Sequence, residues 1–95
     1  MTTDSQAQRA TVHYSGHVQG VGFRYTARSI AEKYAVTGFV QNLSDGRVRL
    51  VVEGNQGEID QLLAELADRM TGFIRDAEVH RSAATGEFAD FTVEH

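Results

Sequence analysis

The sequence predicts an α+β domain in which two helices cover one face of a mostly antiparallel sheet. Three observations support this prediction: segments of alternating apolar and polar residues, two segments with apolar residues at helical spacing, and the order of these segments. The chain has 95 residues, which is enough for a single compact core. We therefore expect one domain over residues 1–95, with residues 1–8 forming a flexible N-terminal tail.

The first half of the chain predicts a strand, a helix and a β-hairpin. Apolar and polar residues alternate over residues 10–18, the pattern of a half-buried strand. Apolar residues then recur on one helical face: Phe23, Ala27, Ile30, Ala31 and Tyr34. Residues 36–43 and 47–54 are rich in valine and flank a turn containing Gly46, so they predict two antiparallel strands.

The second half predicts a helix followed by two strands. The helix is indicated by apolar residues at helical offsets: Ile59, Leu62, Leu63, Leu66 and Met70. Residues 74–83 keep a period of two through Ala77 and Val79, and residues 88–95 keep it through Ala89, Phe91 and Val93. The order β-α-β-β-α-β with one additional strand predicts a ferredoxin-like sandwich with a four- to five-stranded antiparallel or mixed sheet.

Composition narrows the classes of function. The net charge is −4 without a basic block, which argues against nucleic-acid binding, including base stacking on an open sheet face. The chain lacks cysteine, and its four histidines lack zinc-type spacing, so we expect no metal and no cofactor. The polar N-terminus and the absence of a long apolar run favour a cytoplasmic protein without a membrane partner. We also expect a monomer.

Three glycines and an arginine lie where the first predicted strand gives way to the first predicted helix, in the stretch GHVQGVGFR over residues 16–24. Free backbone N–H groups converge where a strand leads directly into a helix, and the helix dipole adds partial positive charge. Gly20 and Gly22 permit a concave arrangement of these donors, and Arg24 adds a bidentate cation. The stretch matches neither a Walker loop nor a dinucleotide-binding fingerprint. It predicts either a small-anion site or a tight turn followed by a solvated arginine.

The same stretch matches, at every specified position, the first signature of the acylphosphatase family, Gly-x-Val-Gln-Gly-Val-x-Phe-Arg. Residues 38–54, GFVQNLSDGRVRLVVEG, resemble the family's second signature. The matching positions are Gly38, Phe39, Val40, Asn42, Gly46, Val48 and Gly54. The chain thus resembles a stand-alone acylphosphatase over nearly its whole length.

This resemblance implies metal-independent hydrolysis of small acyl phosphates to a carboxylate and inorganic phosphate. It also implies that Arg24 binds the phosphate and that Asn42 orients the attacking water. The implied phosphate-binding loop comprises Gly16, His17, Val18, Gln19, Gly20, Val21 and Gly22. Without the resemblance, Asn42 is better explained as a residue that satisfies backbone groups at a strand end.

Two other functions fit the same pattern. One is a non-catalytic, anion-binding ferredoxin-like regulatory module. The other is the acylphosphatase-like domain of a larger carbamoyl-transferring maturation protein, which the short chain disfavours. The chain also departs from many relatives: residues 70–79 lack a Gly-Pro, and residues 91–95 read FTVEH in place of an aromatic-x-Ile-Arg-Tyr ending. The second departure leaves open whether the last strand supports Arg24.

Overall fold

A computed structural model describes residues 7–95, so residues 1–6 of the predicted tail lie outside the described part. The elements follow in the order β1 (Gln8–Gly16), α1 (Phe23–Ala31), β2 (Val36–Asn42), β3 (Val48–Gly54), α2 (Gln56–Arg69), β4 (Ile74–Ala83) and β5 (Phe91–Glu94). The predicted fold class and element order are confirmed. Gln8, counted in the predicted tail, already belongs to β1 and pairs with Gly54 and Ala83.

The five strands form one mixed sheet in the order β4-β1-β3-β2-β5. β1 pairs antiparallel with β3 and β4, and β2 pairs antiparallel with β3. β5 runs parallel to β2, with Gln41 opposite Glu94. Because the two strands are parallel, the C-terminal ends of β2 and β5 lie at the same end of the sheet. Within residues 7–95, no helix has the length and apolar character to cross a membrane.

The core lies between the inner face of the sheet and the two helices. Val12, Val40 and Leu50 from the sheet are fully buried, as are the helix residues Phe23, Ala27, Ile30, Ile59, Leu62 and Leu66. Burying each large apolar side chain contributes about 1.5–3 kcal/mol, so the two helices are held mainly by these faces. The apolar stripes predicted for both helices are confirmed, except that Tyr34 lies beyond the end of α1 and is only partly buried.

Element boundaries and the burial of β4 differ from expectation. β1 ends at Gly16, two residues before the predicted end, and Val18 is buried from the loop that follows. β4 spans the predicted residues 74–83, yet Val79 is 46% exposed. The helices pack mainly against β2, β3 and β5, so the inner face of this edge strand stays largely uncovered.

The segment joining β4 to β5 crosses the outer face of the sheet. Glu53, only 4% exposed, accepts hydrogen bonds from the backbone N–H groups of Thr85 and Gly86, both at 3.0 Å, and from Nε of Arg9 at 2.7 Å. Burial alone would raise the pKa of Glu53, but these donors lower it below its usual range. The buried carboxylate thus holds the crossing segment that leads to β5.

The outer face is also occupied by an aromatic pair. Phe39 and Phe88 meet edge-on with ring centroids 5.7 Å apart. The guanidinium of Arg49 lies 5.7 Å from the Phe39 ring centroid. The Phe39 ring thus packs against other residues of its own chain on the outer face of the sheet.

Candidate active site

The loop between β1 and α1 adopts the left-handed backbone conformation at two glycines. Gly20 has φ of +80° and Gly22 has φ of +79°. No heavy atom would lie within 4 Å of a Cβ added at either position, so the backbone angle, and not crowding, requires glycine there. These angles curve the loop, as the sequence predicts.

Buried side chains and one backbone bond fix this loop to the core. Val18 is 1% exposed and Phe23 is 2% exposed, so both ends of the loop are anchored in the apolar interior. The Phe23 ring packs against Tyr14 with centroids 4.9 Å apart. The N–H of His17 donates to the carbonyl of Phe73 at 2.8 Å, so this donor is already used within the protein.

Gln19 links the loop to the hairpin that carries Asn42. Its Nε2 donates to the carbonyl of Leu43 at 2.8 Å and to the carbonyl of Arg47 at 2.9 Å. Leu43 follows Asn42 directly, so the two hydrogen bonds fix the end of β2 relative to the loop. The sequence places Gln19 in the phosphate-binding loop but gives no sign of this second contact, because its acceptors are backbone carbonyls.

The N-terminus of α1 has no protein cap. Gly22 is the N-cap residue and provides no side chain, and the first turn contains no acidic residue. Within residues 7–95, the backbone N–H groups of residues 18–25 donate no hydrogen bond to a protein acceptor. By contrast, α2 has Glu58 in its first turn. Unpaired donors and the helix dipole therefore make the start of α1 a favourable place for an anion.

Arg24 is held by the last strand. Its Nη1 donates to the backbone carbonyl of Glu94 at 2.9 Å and lies 3.4 Å from Nδ1 of His95. The acceptor at Glu94 is a main-chain atom, so the contact does not depend on the unusual C-terminal side chains. A guanidinium has five N–H donors, and this contact leaves others available.

One cavity of about 200 Å³ collects most of the predicted site. It is lined by Val18, Gly20, Gly22, Phe23, Arg24, Tyr25 and Asn42. Arg24 and Asn42, predicted from different signatures, thus face the same space. Ligand pockets for larger molecules are usually about 300–1,000 Å³, so this cavity suits a phosphate-sized group better than a nucleotide.

Four residues of the predicted loop do not line this cavity. Gly16 lines a separate cavity beside Arg75, and the N–H of His17 is bonded to Phe73. Gln19 points its amide at the hairpin, and Val21 packs against the core. Tyr25 lines the cavity although the sequence did not single it out, because it lies just after the first signature.

The cavity is locally positive in a chain of net charge −4. Arg24 is the charged residue of the lining, and the helix N-terminus adds partial positive charge. The side chain of Asn42 makes no hydrogen bond to another residue of the described chain, so its carboxamide is available to a ligand or water. In residues 7–95, no three His, Asp or Glu side chains are grouped to hold a metal ion.

The curved loop, Arg24 and Asn42 thus line one small cavity of a ferredoxin-like fold, and its size and charge are suited to a small anion. The acylphosphatase family profile matches residues 10–93. An acylphosphatase from Methylococcus capsulatus is 44% identical over 92 residues, covering 90% of this chain and 95% of the relative. One from Paenarthrobacter aurescens is 40% identical over 86 residues, covering 90% and 92%.

A solved structure agrees with these sequence relatives. The crystal structure of acylphosphatase from Bacillus subtilis superposes with a TM-score of 0.85 at 27% identity, covering 93% of this chain and 99% of that one. The chain therefore belongs to the acylphosphatase family, and it is an enzyme of the hydrolase class. The resemblance found in the two signatures is confirmed.

Proposed function

We propose that this protein hydrolyses the carboxyl-phosphate bond of small acyl phosphates, releasing a carboxylate and inorganic phosphate. The observation that carries this proposal is the placement of Arg24 and Asn42 in one cavity with the uncapped N-terminus of α1. Family membership supports the reaction class. We further propose that the enzyme acts as a cytoplasmic monomer without a metal or cofactor.

The phosphoryl group binds at the start of α1. The free N–H groups of the loop and of the first helical turn donate to its oxygens, and the helix dipole favours its charge. Arg24, oriented by the carbonyl of Glu94, presents its remaining N–H donors to the same oxygens. Since His17 donates to Phe73, the useful backbone donors begin at Val18, later than the sequence predicts.

Asn42 positions the water. Its carboxamide oxygen accepts a hydrogen bond from the water and holds it in line with the bond that breaks, which lowers the entropic cost of attack. The water oxygen forms a bond to phosphorus while the bond from phosphorus to the acyl oxygen breaks. The bonding electrons leave with the carboxylate, and the proton from water passes to a phosphoryl oxygen. The products are a carboxylate and dihydrogen phosphate.

The leaving group explains why so few residues suffice. A carboxylate is stable without protonation, so the reaction needs no general acid. Charge in the loose transition state is spread over the phosphoryl oxygens, where the backbone donors and Arg24 stabilise it. An alkyl phosphate would release an alkoxide, and the lining offers no carboxylate or imidazole to protonate it.

The test is hydrolysis of benzoyl phosphate by the purified protein in the presence of EDTA, with a simple alkyl phosphate as the comparison substrate. We expect turnover of benzoyl phosphate that EDTA leaves unchanged, and no measurable turnover of the alkyl phosphate. Turnover lost on EDTA treatment, or equal rates on both substrates, would contradict the proposed mechanism. Phosphate binding without any hydrolysis would favour the non-catalytic anion-binding module.

A further inference from the structure

Tyr25 is a large aromatic residue that lines the cavity and is also exposed to solvent. It directly follows Arg24 in the first turn of α1 and lines the same cavity. Its exposed fraction is 53%, whereas the cavity residues Val18 and Phe23 are almost fully buried. Tyr25 is therefore the exposed aromatic residue among those that line the cavity.

Arg28 supports this ring from the next turn of the helix. Its guanidinium carbon lies 5.9 Å from the ring centroid of Tyr25, within the range of a cation–π contact. Residues three apart are neighbours on a helix surface, so the contact is a local one that needs no other part of the fold. It restricts the exposed ring and leaves one of its faces for another group.

The geometry of an in-line displacement indicates where the acyl leaving group lies relative to Tyr25. In an in-line displacement the leaving group lies on the side of phosphorus opposite the attacking water. With the phosphoryl group at the helix N-terminus and the water at Asn42 on β2, the acyl group extends away from β2. Among the residues that line the cavity, Tyr25 lies on α1 and not on β2, and it is the exposed large aromatic one.

We propose that Tyr25, supported by Arg28, is an acyl-group subsite that favours acyl phosphates with a flat aromatic acyl group over acetyl phosphate. Aromatic pairs gain from offset or edge-on contact beyond the burial of apolar area, and an acetyl group is too small to make such a contact. This inference rests on the proposed function, because it assumes that the phosphoryl group occupies the start of α1.

The test compares kcat/KM for benzoyl phosphate and acetyl phosphate in wild type, Tyr25→Ala and Tyr25→Phe. In Tyr25→Ala we expect the benzoyl-to-acetyl ratio to fall about three- to tenfold, through a higher KM for benzoyl phosphate. Tyr25→Phe keeps the ring and should keep the ratio. Val79→Ala removes an exposed apolar side chain on the distant strand β4 and serves as the matched control.

An unchanged ratio in Tyr25→Ala, or an equal loss on both substrates, would overturn the subsite. Dissociation constants of benzylphosphonate and methylphosphonate, measured by calorimetric titration, give the same comparison without turnover, and we expect only the preference for the benzyl compound to fall in Tyr25→Ala. If the wild type hydrolyses neither acyl phosphate, the proposed function fails. The phosphonate comparison then still reports whether Tyr25 contacts the group attached to phosphorus.

Discussion

Arg24 donates through Nη1 to the backbone carbonyl of Glu94 at 2.9 Å. Glu94 lies opposite Gln41 in the parallel pairing of β5 with β2, and Asn42 is the next residue along β2. Neighbouring strands are about 4.8 Å apart, so this bond holds the guanidinium close to the strand end that carries Asn42. The strand order thus brings together two residues that belong to different signatures.

Removal of the Arg24 side chain should weaken phosphate binding and slow turnover. Hydrogen bonds to charged groups contribute about 1.5–3 kcal/mol, so the inhibition constant of phosphate in Arg24→Ala should rise about tenfold or more. Arg24→Lys should recover little, because an ammonium lacks the planar fork of donors. Arg69→Ala, at the end of α2, is the control and should behave as wild type. If Arg24→Ala kept the wild-type inhibition constant, Arg24 would not contribute to phosphate binding.

The support of Arg24 should depend on the backbone of β5 and not on its last side chains. The double variant Glu94→Ala/His95→Ala removes both last side chains, including the ring near Nη1, but keeps the carbonyl that accepts from Arg24, so its phosphate affinity should stay within about twofold of wild type. Deletion of residues 94–95 removes that carbonyl and should weaken phosphate binding severalfold. Titration of both variants with phosphate measures the difference. Equal affinities in the two variants would show that the carbonyl does not orient the guanidinium.

The side-chain amide of Gln19 should be needed for full turnover. Gln19→Ala leaves the carbonyls of Leu43 and Arg47 without this donor, which should cost about 1–3 kcal/mol of unfolding free energy and lower kcat. Gln19→Glu has nearly the same size but no N–H donor, so it should not restore the activity. Gln61→Ala, exposed on α2, is the control. Urea unfolding and rate assays test both effects, and wild-type kcat in Gln19→Glu would contradict the link.

The sequence predicts the parts of this molecule that arise from local patterns. The strand and helix periodicities give the element order, and Gly20 and Gly22 indicate the curved loop because positive φ strongly favours glycine. The roles of Arg24 and Asn42 stay predictions until activity is measured.

A single sequence does not indicate which side chains donate hydrogen bonds to distant backbone atoms. Gln19 donates to carbonyls 24 and 28 residues away, and Arg24 donates to a carbonyl 70 residues away. The exposure of Val79 is similarly set by where the helices lie, although its own period of two predicts burial. Such features depend on strand order, which a pattern of residues constrains only loosely.

The buried carboxylate of Glu53 should make stability depend on pH. Its donors lower its pKa below the ordinary value of 4.5, so its stabilising effect is present above that value and is lost as pH falls through the lowered pKa. Glu53→Gln should cost about 1–3 kcal/mol at pH 7. The difference in unfolding free energy between wild type and Glu53→Gln, the stability gap, should then decrease as pH falls below 4.5.

Urea unfolding at a series of pH values measures this gap, with Asp68→Asn as an exposed control on α2. The control should follow the wild-type curve. A gap that stays constant from neutral to acid pH would contradict the assignment of the lowered pKa to Glu53.

The most direct test of the central claim is the phosphate inhibition constant and the kcat of Asn42→Ala, measured on the same preparation. Water placement affects only the path to the transition state, so kcat on benzoyl phosphate should fall about a hundredfold or more while the inhibition constant stays near wild type. Arg24→Ala should change both quantities. A near-wild-type kcat in Asn42→Ala, or a loss of phosphate binding as large as that in Arg24→Ala, would contradict the division of roles between these two residues.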